Sequence, residues 1–109
     1  MSLLIRAARE ADAALIFALV RELADYENLR GEMDATPEAL SAALFTREPR
    51  LFCEIAEWDG EPAGFSVWFY TYSTFSGRHG IWLEDLFVPP HLRGKGIGKA
   101  LLVHLANEC

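Results

Sequence analysis

The sequence predicts an α/β (α+β) fold, in which a mixed, mainly antiparallel sheet is flanked by helices in the order β-α-α-β-β-β-α. Three observations predict it: apolar residues at helical spacing in the first third of the chain, a hairpin pattern in its middle, and an apolar strand pattern that leads through a glycine-rich turn into a last helix. The chain has 109 residues without repeats or low-complexity linkers, so we assign one domain to residues 1–109.

The first strand and the first helix are predicted close to the N-terminus. Leu3–Ala7 is a short apolar run that suits a strand. Asp12 is a candidate N-cap, because its carboxylate can accept from the free amides at the start of a helix. The apolar residues after it recur on one face, which predicts an amphipathic helix to about Glu27 that residues 28–31 end.

A second helix and a hairpin follow. Thr36 and Pro37 suit the N-cap and first position of a short helix that ends before Pro49. Residues 51–58 and 63–72 are strand-like, and the turn sequence Asp-Gly-Glu-Pro between them predicts an antiparallel hairpin.

The fourth strand and the third helix lie on either side of a glycine-rich turn. A polar loop over residues 73–80 leads into an apolar run, residues 80–88, which ends at Pro89-Pro90 because proline has no backbone N–H for a strand ladder. Beyond the turn, apolar residues recur at the spacing of one helical face: Ile97, Leu101, Leu102 and Leu105. The glycines therefore lie where this helix begins.

A glycine-rich turn at the start of a helix is suited to bind phosphate. The first backbone N–H groups of a helix have no intrahelical acceptor and lie at the positive end of its dipole. Gly94, Gly96 and Gly98 lack the Cβ atoms that would hold a diphosphate away. Arg93 and Lys95 add mobile positive charge to an otherwise acidic chain.

Two common phosphate motifs do not fit this turn. A dinucleotide-binding motif requires G-x-G-x-x-G, whereas the spacing here is G-x-G-x-G. A Walker loop requires four residues between its first glycine and Gly-Lys-[Ser/Thr]. Only three residues separate Gly94 from Gly98, and Ala100 stands where a hydroxyl would bind magnesium.

The pattern that does fit is Arg93-x-x-Gly96-x-Gly98. It resembles the acetyl-CoA pyrophosphate loop, Arg/Gln-x-x-Gly-x-Gly/Ala, of the GNAT N-acetyltransferase superfamily. With Leu83-Glu-Asp-Leu-Phe-Val88 upstream, the chain resembles the diamine (spermidine/spermine and thialysine) acetyltransferase branch. The resemblance implies a GNAT-type sheet, acetyl-CoA as co-substrate, and these cofactor-binding residues: Leu86, Phe87, Val88, Arg93, Gly94, Lys95, Gly96, Ile97, Gly98 and Lys99.

The resemblance also implies a catalytic base, Glu84, which matches the glutamate proposed as base in the diamine branch. A base is needed because a primary amine with a pKa near 10.4 must lose a proton, at a cost of roughly 4 to 5 kcal/mol at neutral pH. A carboxylate is a poor base unless an apolar setting raises its pKa or it works through water, and Glu84 has apolar neighbours in sequence: Trp82, Leu83 and Leu86. Asp85 follows on the same strand, so the two carboxylates point to opposite faces unless a bulge intervenes.

For the substrate, the resemblance implies four binding residues: Tyr26, Glu27, Phe75 and Asp85. Tyr26 and Glu27 match the segment where the branch places a carboxylate toward its polyamine. The spermidine enzymes have an aspartate and a tryptophan where this chain has Ser73 and Phe75. This loop is more similar to the thialysine-type members, whose substrates carry a lysine-like side-chain amine.

The resemblance covers the N-terminal two thirds of the family's domain. A fifth strand, a further helix, a terminal hairpin and the tyrosine that protonates the leaving thiolate have no counterpart in these residues. We therefore expect a C-terminally incomplete GNAT domain, truncated before the fifth strand. Its fourth strand would be an edge that can pair with another chain.

Composition limits the partners. The net charge of −6 disfavours nucleic acid. No apolar run is long enough to cross a bilayer and no signal peptide is recognised, so we expect a cytoplasmic protein without a membrane partner. Cys53 and Cys109 are expected to be free thiols, and the three histidines lack ligand spacing, so we expect no metal. The expected partners are a small-molecule amine and a second copy of the chain in a homodimer.

The function these observations favour is transfer of an acetyl group from acetyl-CoA to a primary amine of a small molecule. We expect direct attack in a ternary complex, because no Cys or Ser lies beside an evident base. Two alternatives stay open. One is a non-catalytic module for coenzyme A binding or association, and the other is a GNAT acetyltransferase for a protein or antibiotic acceptor.

Overall fold

The computed structural model of the chain describes residues 2–27 and 36–108. Its elements are β1 (Leu3–Ala7), α1 (Ala13–Tyr26), α2 (Pro37–Leu44), β2 (Phe52–Trp58), β3 (Glu61–Ser73), β4 (Arg78–Phe87) and α3 (Ile97–Ala106), with 3-10 turns at Glu10–Asp12 and Pro90–Leu92. This confirms the predicted order of elements. The predicted helix end at residues 28–31 and the predicted free thiol of Cys109 lie outside the described residues.

The strands form one sheet in the order β1-β2-β3-β4, and each neighbouring pair is antiparallel. Phe65 and Val67 of β3 belong to the core cluster that also contains residues of α1 and α2. Ala63 of β3 and Ala56 of β2 belong to a second cluster with α3. The helices therefore cover both faces of the sheet, and β4 is its outer strand among the described residues.

The predicted polar loop over residues 73–80 is wrong in length. β3 continues to Ser73 and β4 begins at Arg78, which pairs with it. The turn closes where the amide of Gly77 donates to the carbonyl of Ser73 at 2.8 Å, with Gly77 at a φ of 68°. The rings of Tyr72 and His79 pack edge to face at 4.9 Å, so cross-strand packing extends the hairpin beyond the apolar run.

One predicted helix cap is confirmed and another is wrong. The Thr36 hydroxyl accepts from the amide of Ala39 at 3.1 Å. Asp12, in contrast, makes no cap bond to α1. Its carboxylate accepts from Arg6 at 2.7 Å and from the amide of Arg9 at 2.7 Å, because it lies in a 3-10 turn ahead of the helix.

The apolar face predicted for α3 is correct at three of its four positions. Ile97, Leu101 and Leu105 are buried, whereas Leu102 is 45% exposed. The three buried residues are spaced by four and form one stripe, while Leu102 lies about 100° around the helix from Leu101.

Gly64 of β3 lies against the backbone at the end of β4. A Cβ built on it would lie 2.8 Å from the carbonyl oxygen of Phe87 and 3.2 Å from Cγ2 of Val88. We expect Gly64→Ala to destabilise the fold by about 2 kcal/mol, because the contacting oxygen belongs to the backbone and cannot rotate away. Urea unfolding measures this. Gly98→Ala is the matched control, since its Cβ would meet Val88 at an ordinary 3.8 Å and should cost little.

Glu54 is a carboxylate that the fold buries, at 7% exposure. Burial raises its pKa, and the hydrogen bond that Nε1 of Trp68 donates to Oε1 at 2.6 Å offsets part of that effect. A raised pKa means that the folded state binds the proton more tightly than the unfolded chain. Stability therefore falls as pH rises from the unfolded value of about 4.5 through the folded pKa.

We expect Glu54→Gln to stabilise the protein by about 1 kcal/mol at neutral pH, because the amide keeps the oxygen that Trp68 needs and removes a buried charge. The gain should vanish below about pH 4, where Glu54 is protonated in both states. Unfolding midpoints of the two proteins across this range measure it. If the Glu54→Gln variant were less stable than wild type at neutral pH, ionised Glu54 would be shown to stabilise the fold.

Candidate active site

The glycine-rich turn has the backbone conformation that only glycine adopts without strain. Gly94 has a φ of 85° and Gly96, the N-cap of α3, a φ of 81°. A Cβ on either residue would have no atom within 4 Å. The space beside the turn is therefore open, and strain rather than a clash is what requires glycine there.

The amides at the start of α3 are not capped by the protein. No side chain caps this end of the helix, and the first helical bond is donated by the amide of Ala100 to the carbonyl of Gly96 at 3.0 Å. Within the described residues, the amides of Ile97, Gly98 and Lys99 find no acceptor. Three donors at the positive end of the helix dipole are thus available to an anion.

An open cleft of about 410 Å³ lies beside these amides. It is lined by Leu86, Val88, Leu92, Arg93, Gly94, Gly96, Ile97, Gly98 and Lys99. Eight of the ten predicted cofactor-binding residues line it, and Leu92 was not predicted. Leu92 follows the two prolines in a 3-10 turn, and only its apolar character hinted at such a position.

The two other predicted cofactor residues do not line the cleft. Phe87 is 3% exposed and packs in the core on the α1 side of the sheet. Lys95 places its Nζ 5.4 Å from the ring centroid of Trp58. Phe87 can contribute only backbone groups to a ligand in this cleft.

Arg93 does not provide the mobile charge that the sequence predicted. Its Nε donates to the carbonyl of Val88 at 2.9 Å, and its Nη1 donates to the hydroxyl of Tyr26, also at 2.9 Å. The guanidinium carbon lies 4.5 Å from the centroid of the Tyr26 ring. Arg93 borders the cleft, but its guanidinium is held by the end of α1.

A bulge in β4 decides how Glu84 and Asp85 lie. Val67 pairs with Asp85 and the next residue of β3, Trp68, pairs with Leu83, so Glu84 is an extra residue in β4. The bulge interrupts the alternation that would have sent the two carboxylates to opposite faces. Asp85 lies opposite Val67, on the face that packs against α1 and α2.

The structure gives the apolar environment to Asp85 rather than to Glu84. Glu84 is exposed, while Asp85 is partly buried. Burial, together with the nearby charges of Glu84 and Glu27, raises the pKa of Asp85 to about 6. Glu27 follows the last residue of α1, so the charges of two other predicted site residues reach Asp85.

Tyr26 lies at the same place, and Phe75 does not. The Tyr26 ring packs against Phe87 with centroids 6.3 Å apart, and 57% of the residue is exposed. Phe75 is fully exposed in the turn between β3 and β4. It is separated from Asp85 by most of the length of β4, roughly 25 Å at 3.3 Å per residue, so its role in substrate binding stays a prediction.

The end of β4 therefore separates two different surfaces. On the α3 side, Leu86 and Val88 border the cleft with its free amides. On the α1 side, Asp85 lies within the electrostatic reach of Glu27. The cleft with its free amides and the partly buried carboxylate of Asp85 therefore lie on opposite sides of the end of β4.

Two kinds of site are not found in the described part of the chain. No group of three or more histidine, cysteine or carboxylate residues lies together there as a metal site would. None of the helices in residues 2–27 and 36–108 is long and apolar enough to span a membrane.

The antiparallel four-stranded sheet flanked by helices and the uncapped amides beside the end of β4 define an α/β domain with an anion-binding helix N-terminus. A model of the acetyltransferase (GNAT) family matches residues 15–109, and the chain belongs to that family.

Similar proteins include a thialysine N-epsilon-acetyltransferase of Sus scrofa, 40% identical over 97% of this chain and 66% of that protein. A spermidine/spermine N(1)-acetyltransferase-like protein 1 of Homo sapiens is 32% identical over 94% of this chain and 16% of that protein. The chain thus spans about two thirds of the length of the porcine relative. A solved ribosomal-protein-alanine N-acetyltransferase from Brucella melitensis has the same fold, with a TM-score of 0.79, 22% identity, and coverage of 99% of this chain and 71% of that one.

Proposed function

We propose that the protein transfers the acetyl group of acetyl-CoA to a primary amine of a small molecule, by direct attack in a ternary complex. The acceptor class is a diamine, a polyamine or a lysine-like side chain such as that of thialysine. The observation that carries this proposal is the set of uncapped amides beside an open cleft at the end of β4. Because the chain spans 66% of the porcine relative, the activity of the whole protein is part of the proposal.

The residues around the cleft fit coenzyme A. The amides of Ile97, Gly98 and Lys99 would bind its diphosphate. Leu86 and Val88 offer apolar contact to the pantetheine arm. The backbone groups of Phe87 and Val88 are assigned to the thioester carbonyl and this arm. When bound, acetyl-CoA supplies the activated acetyl group.

The residues on the α1 side fit a cationic amine. Asp85 and Glu27 attract an ammonium group, and the partial burial of Asp85 strengthens its electrostatic interactions. Glu84 is assigned as the base. Because it is exposed, it would take the proton through a water molecule rather than by direct contact with the amine in an apolar pocket.

We also propose that the protein is a cytoplasmic homodimer.

Product analysis tests the proposed function. The protein is incubated with acetyl-CoA and one acceptor in each of five separate reactions. The acceptors are thialysine, spermidine, a simple diamine, an aminoglycoside and a lysine peptide. We expect acetylated product by mass spectrometry with one of the first three amines. Product only with the aminoglycoside or the peptide would assign another acceptor, and acetyl-CoA binding without any product would favour a non-catalytic module.

A further inference from the structure

The side chain of Arg93 contacts two elements that belong to different sides of the proposed site. Its Nε donates to the carbonyl of Val88, which borders the cleft directly after β4. Its Nη1 donates to the hydroxyl of Tyr26, the last residue of α1. Tyr26 and Arg93 are 67 positions apart in sequence, so this contact is a tertiary link and not part of the turn itself.

The link is reinforced by ring contacts. The guanidinium carbon lies 4.5 Å from the centroid of Tyr26 and 5.8 Å from that of Phe87. The two rings also pack on each other at 6.3 Å. Arg93 thus contacts Tyr26 in two ways, through the hydrogen bond to its hydroxyl and through the face of its ring. Its Nε meanwhile fixes the backbone at the end of β4.

We propose that Arg93 is a positioning residue, which fixes the end of α1 against the end of β4 and so sets the separation between the bound amine and the thioester. This inference rests on the proposed function. It assigns the guanidinium a task other than binding the cofactor diphosphate. Geometry of this kind matters because a displacement of about 1 Å between reacting groups can lower a rate by about a hundredfold.

Two conservative variants separate positioning from phosphate binding. Tyr26→Phe keeps the ring under the guanidinium and removes only the hydroxyl that accepts from Nη1. Arg93→Lys keeps the charge, but a single ammonium group lacks the planar fork that reaches Val88 and Tyr26 together. Tyr70→Phe is the matched control, because Tyr70 is 49% exposed and lies on β3 away from this link.

We expect Tyr26→Phe and Arg93→Lys each to lower kcat/KM for the amine by about tenfold. The calorimetric Kd for acetyl-CoA should stay within about twofold of wild type in both. In the double variant the two losses should not multiply, since both remove the same link. The inference is wrong if the losses multiply, or if Arg93→Lys acts only on acetyl-CoA affinity and Tyr26→Phe acts like Tyr70→Phe.

Hydrogen exchange tests the link without any need for turnover. Amides of the last turn of α1, residues 23–26, should exchange several-fold faster in both variants and at the wild-type rate in Tyr70→Phe. Unchanged exchange in both variants overturns the inference even in an active enzyme. Faster exchange in a protein that acetylates none of the amines keeps the link and rejects the proposed function.

Discussion

Replacement of Gly96 by valine is expected to lower the affinity for acetyl-CoA at least about a hundredfold, equivalent to about 2.7 kcal/mol. Gly96 has a φ of 81°, where a β-branched residue is strained, so the turn would shift and its amides would lose their common direction. The added side chain would also enter the open space beside the turn. Calorimetry with acetyl-CoA measures the loss.

Gly60 provides the matched control for this prediction. It has a φ of 84°, and a Cβ there would also have no atom within 4 Å. It lies in the turn between β2 and β3, so Gly60→Val carries similar strain without altering the proposed diphosphate cradle, which is formed by the amides of Ile97, Gly98 and Lys99. We expect its acetyl-CoA affinity to stay close to wild type while both variants lose similar stability.

Binding measurements can contradict the assignment of this cradle to the diphosphate of coenzyme A. If Gly96→Val bound acetyl-CoA as tightly as wild type, the amides would not be the diphosphate site. If both valine variants lost binding equally, the loss would reflect general destabilisation. Tighter binding of ATP than of acetyl-CoA would indicate a different phosphate ligand and contradict the assignment to coenzyme A.

The glycine-rich turn at the start of α3 and the order of elements could be predicted because both depend on local sequence. Glycine spacing, the two prolines after β4 and the apolar period of α3 act over a few residues each. The predicted hairpin between β2 and β3 is confirmed for the same reason. Here the sequence pattern and the structure describe the same short-range geometry.

The environment of the two carboxylates could not be predicted in this way. The bulge at Glu84 is defined only by the register of β4 against β3. Apolar sequence neighbours suggested a buried Glu84, but it is exposed, and the charge of Glu27 reaches Asp85 from another element. The contact of Arg93 with Tyr26 is likewise non-local, so its fixed position could not be predicted from the turn sequence.

Replacement of Glu84 by glutamine is expected to lower kcat by about 10²- to 10⁴-fold, the usual contribution of a general base. The variant keeps the size of the side chain and removes its ability to take a proton. Glu84 does not line the cleft, so the Kd for acetyl-CoA should be unchanged. Steady-state kinetics with the accepted amine, together with calorimetry, separate the two effects.

Asp85→Asn is the matched comparison, one residue along the same strand. We expect it chiefly to raise KM for the amine, by about tenfold, because it removes one attracting charge. In the wild type, Asp85 is ionised above its pKa of about 6 and becomes neutral below it. KM for the amine should therefore rise as pH falls through about 6, and Asp85→Asn should remove this dependence.

The pH profile of Glu84→Gln completes the assignment. Burial is the main cause of the raised pKa of Asp85, and the charge of Glu84 is the next, so loss of that charge should move the acidic rise in KM to lower pH without abolishing it. Normal turnover of Glu84→Gln would reject Glu84 as base. If Asp85→Asn instead lost kcat by about a hundredfold or more and Glu84→Gln did not, the partly buried Asp85 would be the proton acceptor. The exposed Glu84 would then serve only to raise the pKa of Asp85.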